Sequence, residues 1–168
     1  MEGRRAKDCS VTISHSMLPQ DANISGNVHG GVIMKHIDSA GGVVAIRHAR
    51  CNVVTASIDR MDFHNPVFVG NLLTLKARIN MVGRTSMEVG VRVEAEDLVT
   101  GRVTHTGSAY LTYVALDEEG RPKEVPPLIL ETEDEKRRNR EARAKREVRL
   151  AEKRKEAACQ KDMESCEL

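Results

Sequence analysis

The spacing of apolar residues divides the first 130 residues into one helix and a set of strands. From Gly30 to about His48, valine, isoleucine and alanine recur three or four residues apart, which predicts an α-helix. This segment is apolar on nearly all sides, so we expect a buried helix rather than a surface one. The glycine pair Gly41-Gly42 lowers helix propensity, but it would let another element pack very closely.

Beyond this helix the apolar period changes to two, which is typical of half-buried strands. Four strands are predicted, joined by turns that contain glycine. They span roughly residues 53–63, 72–82, 85–96 and 102–116. Val11 to Met17 alternates in the same way and predicts an entry or edge strand. The order indicates an α+β fold, with one long helix packed against one face of a curved, mostly antiparallel sheet.

Composition divides the chain near residue 130. Apolar residues make up 40% and charged residues 30%, but residues 131–168 are mostly Glu, Lys, Arg and Ala. We therefore divide the chain into an N-terminal extension (1–10), a globular domain (11–130) and a charged C-terminal segment (131–168). Because Val148 and Leu150 are the only large aliphatics of this segment before Ala158, it is predicted to be a solvated helix or a disordered tail. Binding of its basic residues to nucleic acid or a lipid surface is the alternative.

Charge and cysteine usage narrow the class of protein. The net charge of +1 gives no argument for nucleic acid as a partner, and no apolar run approaches the roughly 20 residues needed to span a bilayer. The N-terminus lacks the apolar stretch of a secretory signal. Neither the histidines nor the cysteines have metal-ligand spacing, so no metal and no disulfide framework is expected. The four cysteines are Cys9, Cys51, Cys159 and Cys166. We expect a cytoplasmic protein, and a homo-oligomer because one helix is too little to cover the predicted sheet.

The start of the long helix carries the residues best suited to chemistry. Amides at a helix N-terminus attract developing negative charge, so Gly30 and Gly31 are predicted to form an oxyanion hole. Asp38, two turns further on, lies among apolar residues, where burial raises a carboxylate's pKa and favours it as a base for water. Asn27 would orient the water or a carbonyl group. The structural alternatives are close-packing glycines, an N-cap asparagine and a satisfied interior carboxylate.

His29 lies beside this group without an obvious nucleophile. Ser25 is in a turn-forming segment that lacks the strand, turn and helix context of a nucleophile elbow. We therefore assign His29 a supporting role.

Several separated motifs, in order, resemble the hotdog-fold acyl-CoA thioesterases, in both their tandem-domain eukaryotic and their single-domain bacterial forms. The resemblance covers roughly residues 10 to 130. Its segments are 18–23 (LPQDAN), 26–31 (GNVHGG), 37–38 (ID), 63–66 (FHNP) and 69–70 (VG).

This resemblance implies hydrolysis of acyl-CoA to free fatty acid and CoA, with no cofactor apart from the CoA of the substrate. It implies dimers of hotdog subunits, assembled as trimers of dimers, in which one subunit supplies Asn27 and its partner supplies Asp38. Asp38 would act as general base or, alternatively, attack the thioester directly. The resemblance also implies that the hairpin Gly83-Arg84-Thr85-Ser86 approaches the CoA nucleotide, where hydroxyls and a guanidinium suit a phosphate; an ordinary exposed hairpin is the alternative.

Two other functions remain open on the same fold. A non-catalytic acyl-CoA sensor is disfavoured because Asp38 is present and only about ten residues precede Val11. A hotdog dehydratase is disfavoured because the Asp-x-x-x-x-His pattern of the hydratase-type relatives is not found in the expected place.

Overall fold

The computed structural model describes residues 1–161, which form one long helix wrapped by a five-stranded antiparallel sheet, with short elements at the N-terminus and a second long helix at the C-terminus. The end of the predicted tail, 162–168, lies outside the described residues, and so do Cys166 and the side chain of Cys159.

The elements follow the chain in an order close to the predicted one. They are β1 (Arg4–Arg5), α1 (Ala6–Cys9), β2 (Val11–Ser16), α2 (Gly30–Ala49), β3 (Asn52–Phe63), β4 (Leu72–Val82), β5 (Ser86–Asp97), β6 (Arg102–Leu116), β7 (Leu128–Ile129) and α3 (Glu133–Lys161), with a 3-10 turn at Pro19–Asp21. None of the helices in this described part is long and apolar enough to cross a membrane.

The main sheet has the strand order β2-β4-β5-β6-β3, and every neighbouring pair is antiparallel. α2 packs on one face of this sheet. Residues from alternate positions of the central strands point towards it and are buried, among them Leu75, Val89 and Leu111. The predicted α+β arrangement is therefore confirmed. The helix itself is buried on one side only, since Met34 and Ile46 remain exposed in the single chain.

β3 forms one edge of the sheet and is an unusual edge. It is twelve residues long and carries three exposed apolar side chains, Val54, Ile58 and Phe63. A long edge strand with exposed apolar residues is a template for pairing with another strand. β3 therefore leaves an unpaired, partly apolar edge in the single chain.

The charged C-terminal segment forms a helix, α3, as one of the two predicted alternatives, and its first turns pack on the outer face of the sheet instead of being fully solvated. The buried positions of α3 include Ala142 and Asn139, and Asn139 Nδ2 donates to the backbone oxygen of Asn80 at 2.8 Å. Further along, Lys145 lies 3.2 Å from the fully buried carboxylate of Glu88. The positions of α3 that contact the sheet are mostly polar or charged, so no apolar period along the sequence predicted that this helix packs.

Candidate active site

Asp38 projects from the third turn of α2 and is held by two hydroxyl groups. The Thr55 hydroxyl on β3 donates to Asp38 Oδ1 at 2.6 Å. The Tyr113 hydroxyl on β6 lies 3.1 Å from the same oxygen and 2.8 Å from the Asp38 backbone oxygen. Within the described residues Asp38 Oδ2 has no hydrogen-bond partner. The carboxylate is half-buried, so one oxygen is fixed and the other is left for a water or ligand.

Tyr113 reaches Asp38 because Gly41 leaves room for it. A Cβ atom at position 41 would collide with the Tyr113 hydroxyl oxygen. Burial, and then the neighbouring Asp38 carboxylate, raise the pKa of Tyr113, so its hydroxyl stays protonated and remains a hydrogen-bond donor. Sequence reasoning missed both Thr55 and Tyr113; the glycine pair was the one signal that something packs closely on this part of α2.

The predicted oxyanion hole is only partly open. The Gly31 N–H donates to Nδ1 of His29 at 2.9 Å, so the exposed His29 ring caps the helix. The Gly30 N–H has no acceptor among the described residues. Gly31 can therefore bind a ligand through its amide only when the His29 ring turns away, whereas Gly30 needs no such change.

Within one chain the amides and the carboxylate are too far apart to act on the same thioester. Asp38 follows Gly31 by seven residues, which separates them by about 10 Å along the helix axis. The helix start packs against Phe63, at one end of β3, whereas Asp38 contacts Thr55, near the other end. The helix start and Asp38, the two parts of the predicted site, therefore lie at opposite ends of the edge strand.

Asn27 and Asn23 lie in the loop before α2, and neither contacts Asp38. The backbone of Asn27 is bridged to Phe68 and accepts from the Asn23 amide at 2.7 Å, while its half-buried side chain has no partner among the described residues. Asn23 Oδ1 accepts from the Ser25 amide at 2.8 Å and closes a turn. The loop therefore presents two asparagines close to the helix start.

The hairpin Gly83–Ser86 closes β4 and β5 at the end of the sheet where Asp38 lies. Ser86 pairs with Val114, and Val114 pairs with Val54, the neighbour of Thr55. The Arg84 side chain is exposed and makes no ion pair within the described structure. The contact of this hairpin with the CoA nucleotide stays a prediction.

Cys9 on α1 and His48 on α2 form a buried pair. Cys9 Sγ lies 3.7 Å from His48 Nδ1, and His48 Nε2 lies 2.8 Å from the Pro126 oxygen, an acceptor, so this nitrogen carries the proton. Burial raises the pKa of Cys9 and lowers that of His48, which keeps the pair neutral. No group of three His, Cys, Asp or Glu side chains that could hold a metal occurs in the part of the chain that the structure describes.

Comparison with known proteins identifies the family. Residues 25–102 match the Thioesterase superfamily. The chain is 40% identical over 136 residues to the cytosolic acyl coenzyme A thioester hydrolase of Mus musculus; this covers 80% of the chain but only 36% of that protein, so the chain spans about a third of its length. It is 41% identical over 139 residues to protein VdlD of Helicobacter pylori, covering 83% of this chain and 79% of that one.

Solved structures agree in fold. A hexameric acyl-CoA thioesterase in its apo form superposes with a TM-score of 0.87 at 39% identity, covering 90% of this chain and 97% of that one. The acyl-CoA hydrolase of Staphylococcus aureus, solved with butyryl-CoA, CoA and CoA disulfide, gives 0.86 at 32% identity, with 95% and 98% covered.

The Staphylococcus aureus enzyme has also been solved as three variants, in which an aspartate, an asparagine or a threonine is replaced by alanine. In that protein the asparagine precedes the aspartate by 15 residues and the threonine follows it by 17. The same two spacings join Asn23 to Asp38 and Asp38 to Thr55 in this chain. These matches confirm the resemblance seen in the sequence: the chain belongs to the thioesterase superfamily and has its hotdog fold.

Proposed function

We propose that this protein is an acyl-CoA thioesterase that hydrolyses acyl-CoA to free fatty acid and CoA. The observation that carries the proposal is the half-buried Asp38, with Oδ1 fixed by Thr55 and Tyr113 and Oδ2 free. A carboxylate held in this way is oriented to accept a proton from a water molecule. The relatives named as acyl-CoA hydrolases support the substrate class.

The site is completed by a second copy of the chain. Identical edge strands related by a two-fold axis pair antiparallel. A register centred near Ile58 would bring the Phe63 end of one β3, with the Gly30 amide, beside the Thr55 end of the other, with Asp38. The helix start of one subunit and Asp38 of the other would then form two equivalent active sites per dimer. The hexameric relative supports assembly of such dimers into a trimer of dimers.

Catalysis follows from this arrangement. The thioester carbonyl oxygen accepts from the Gly30 amide, and from the Gly31 amide once His29 has turned away, so the helix N-terminus stabilises the developing oxyanion. Asp38 Oδ2 takes a proton as the water oxygen bonds to the carbonyl carbon. The tetrahedral intermediate then breaks its carbon–sulfur bond, and CoA leaves as the thiolate. Thr55 and Tyr113 keep Asp38 in position and stabilise its negative charge, while Arg84 binds a phosphate of CoA.

Two asparagines, Asn23 and Asn27, are candidates for orienting the water or the thioester carbonyl group. Asn27, predicted from the sequence, has a side chain without a partner in the described structure. Asn23 has the spacing to Asp38 that matches the asparagine replaced in the Staphylococcus aureus enzyme. On this ground we favour Asn23, and we keep Asn27 as the alternative.

The activity is tested by thiol release from a series of acyl-CoAs of increasing chain length, with the purified protein. We expect a steady rate proportional to enzyme concentration for at least one chain length. Tight binding of acyl-CoA without thiol release at any length would contradict the proposal and favour a sensor.

The shared site is tested by complementation between two inactive variants. We expect coexpressed Asp38→Asn and Asn23→Ala subunits to regain about a quarter of wild-type activity, because half of randomly paired dimers are mixed and each mixed dimer has one intact site. Coexpression of Asp38→Asn with Asn27→Ala tests the other asparagine. If Asn27 is the functional residue, Asn27→Ala will be inactive on its own, and this pair of variants will regain activity on coexpression. Failure of both pairs to regain activity would contradict an interface site.

A further inference from the structure

Two arginines converge on the face of the sheet that points away from α2. Arg78 on β4 is half-buried and makes no hydrogen bond or ion pair within the described residues. Arg138 on α3 is 19% exposed and pairs with Asp134 of its own helix, but its Nε is buried without an acceptor. Burial, followed by the charge of Arg78, lowers the pKa of Arg138. Arg78 therefore has no acidic partner within the described residues, and the Nε side of Arg138 has no acceptor there either.

Both arginines line two adjoining cavities, and Lys76 lines both as well. The larger cavity, about 270 Å³, lies between the N-terminal segment, β4 and α3. The smaller, about 180 Å³, lies over β4, β5 and β6 and includes Tyr110 and Asn80. Arg78 and Arg138 lie where these two cavities adjoin. A small anion can therefore reach the two guanidinium groups through either cavity.

The neighbouring carboxylates are already engaged. Glu94 accepts from Lys76 and from Arg92, each at 2.7 Å. Glu135, which lines the larger cavity, accepts from the backbone amides of Glu131 and Thr132. Asp134 is shared between Arg138 and Arg137, and Lys7 pairs with Glu131 at 2.6 Å. Among the described residues that line the larger cavity, Arg78 and the Nε atom of Arg138 have no acceptor, and Oε1 of Glu135 has no donor.

We propose that this cleft binds a phosphate group between Arg78 and Arg138, with Lys76 beside it. Guanidinium groups present paired donors that match the oxygens of a phosphate, and an anion between the two arginines would replace their repulsion by attraction. The ligand is a small phosphate-bearing molecule, either inorganic phosphate or pyrophosphate, or a nucleotide. The side chains of β4 alternate, so Arg78 faces away from α2 while Ile79 faces the core. The cleft is thus on the opposite face of the sheet from Asp38.

The test measures anion binding to the full chain by calorimetry and by thermal unfolding, with chloride adjusted to constant ionic strength. Phosphate, pyrophosphate and ADP are the probes. Each of Arg78→Gln and Arg138→Gln is expected to weaken binding at least about tenfold, or 1.4 kcal/mol. Arg102→Gln, which removes an exposed guanidinium of β6 outside both cavities, is the matched control and should bind like the wild type.

The three probes distinguish a free phosphate ligand from a nucleotide. Binding of phosphate or pyrophosphate supports a free-phosphate ligand, and binding of ADP alone supports a nucleotide. In phosphate-free buffer Arg78→Gln should unfold at the wild-type temperature or above it, because Arg78 has no partner to lose. Absence of binding by all three probes, or equal binding by wild type and Arg78→Gln, overturns the proposal. Loss of assembly in Arg78→Gln without anion binding by the wild type also overturns it, since a carboxylate of another subunit would then be the partner.

Discussion

Replacement of Asp38 by asparagine is expected to lower kcat for acyl-CoA hydrolysis by about three orders of magnitude. Asparagine keeps the size of the side chain and an oxygen that can accept from Thr55 and Tyr113, but its amide cannot take a proton from water. General base catalysis contributes about two to four orders of magnitude to enzymatic rates. The measurement is thiol release under saturating acyl-CoA, with KM determined for both proteins.

The control for this substitution is Asp97→Asn, which exchanges the same groups in a hairpin remote from the site. Asp97 caps the turn between β5 and β6 by accepting from the Val99 and Thr100 amides, a role that asparagine can also fill. Its kcat should be unchanged. If Asp38→Asn keeps more than about a tenth of wild-type kcat while folding normally, Asp38 is not the base.

A single turnover in isotopically labelled water separates the two possible roles of Asp38. As a general base it directs the label into the fatty acid only. After direct attack on the thioester, water that attacks the Asp38 carbonyl carbon of the resulting anhydride leaves label in the Asp38 carboxylate, so label in Asp38 identifies direct attack.

Replacement of Lys145 by methionine is expected to reduce the free energy of unfolding by about 2 to 3 kcal/mol. Glu88 is fully buried, its Oε1 accepts from Lys145 at 3.2 Å and from Asn80 Nδ2 at 3.4 Å, and its Oε2 has no partner. Lys145 also lies 3.3 Å from the centre of the Tyr110 ring. Removing one partner of a buried ion pair leaves an uncompensated charge, at a cost of about 3 to 5 kcal/mol. We expect less because Lys145 itself is partly exposed.

Urea denaturation at fixed protein concentration measures this effect, since assembly makes stability depend on concentration. Lys136→Met, on the exposed side of the same helix, removes only a surface pair with Glu133 and should change stability by less than about 1 kcal/mol. Adding Glu88→Gln to Lys145→Met should recover most of the loss, because the buried group is then neutral. No loss in the single variant, or no recovery in the double one, would show that α3 is not held by this pair.

Local patterns were sufficient to predict most of the fold. α2 and the hairpins β4–β5 and β5–β6 follow from apolar period and from turns that contain glycine, which depend on neighbouring residues. The docking of α3 has no such signal, because the side chains of α3 that contact the sheet are mostly polar or charged, and their partners are residues of distant strands.

In the candidate site, too, some residues could be predicted from local sequence and others could not. Asp38 and the glycines at the start of α2 were recognisable because a carboxylate in an apolar helix, and amides at a helix start, are exceptional in their local context. Thr55 and Tyr113 were not recognisable, since a hydroxyl in a strand is ordinary until the fold brings it to Asp38.

The sequence alone determined the family, the order of the elements and the residue on which the proposed chemistry depends. The tertiary structure decided which oxygen of Asp38 is fixed, that His29 occupies the Gly31 amide, and that the helix start and Asp38 lie too far apart to share one thioester in a single chain. Sequence patterns report local backbone preference, whereas these contacts join residues up to 75 positions apart and depend on how the sheet packs against α2.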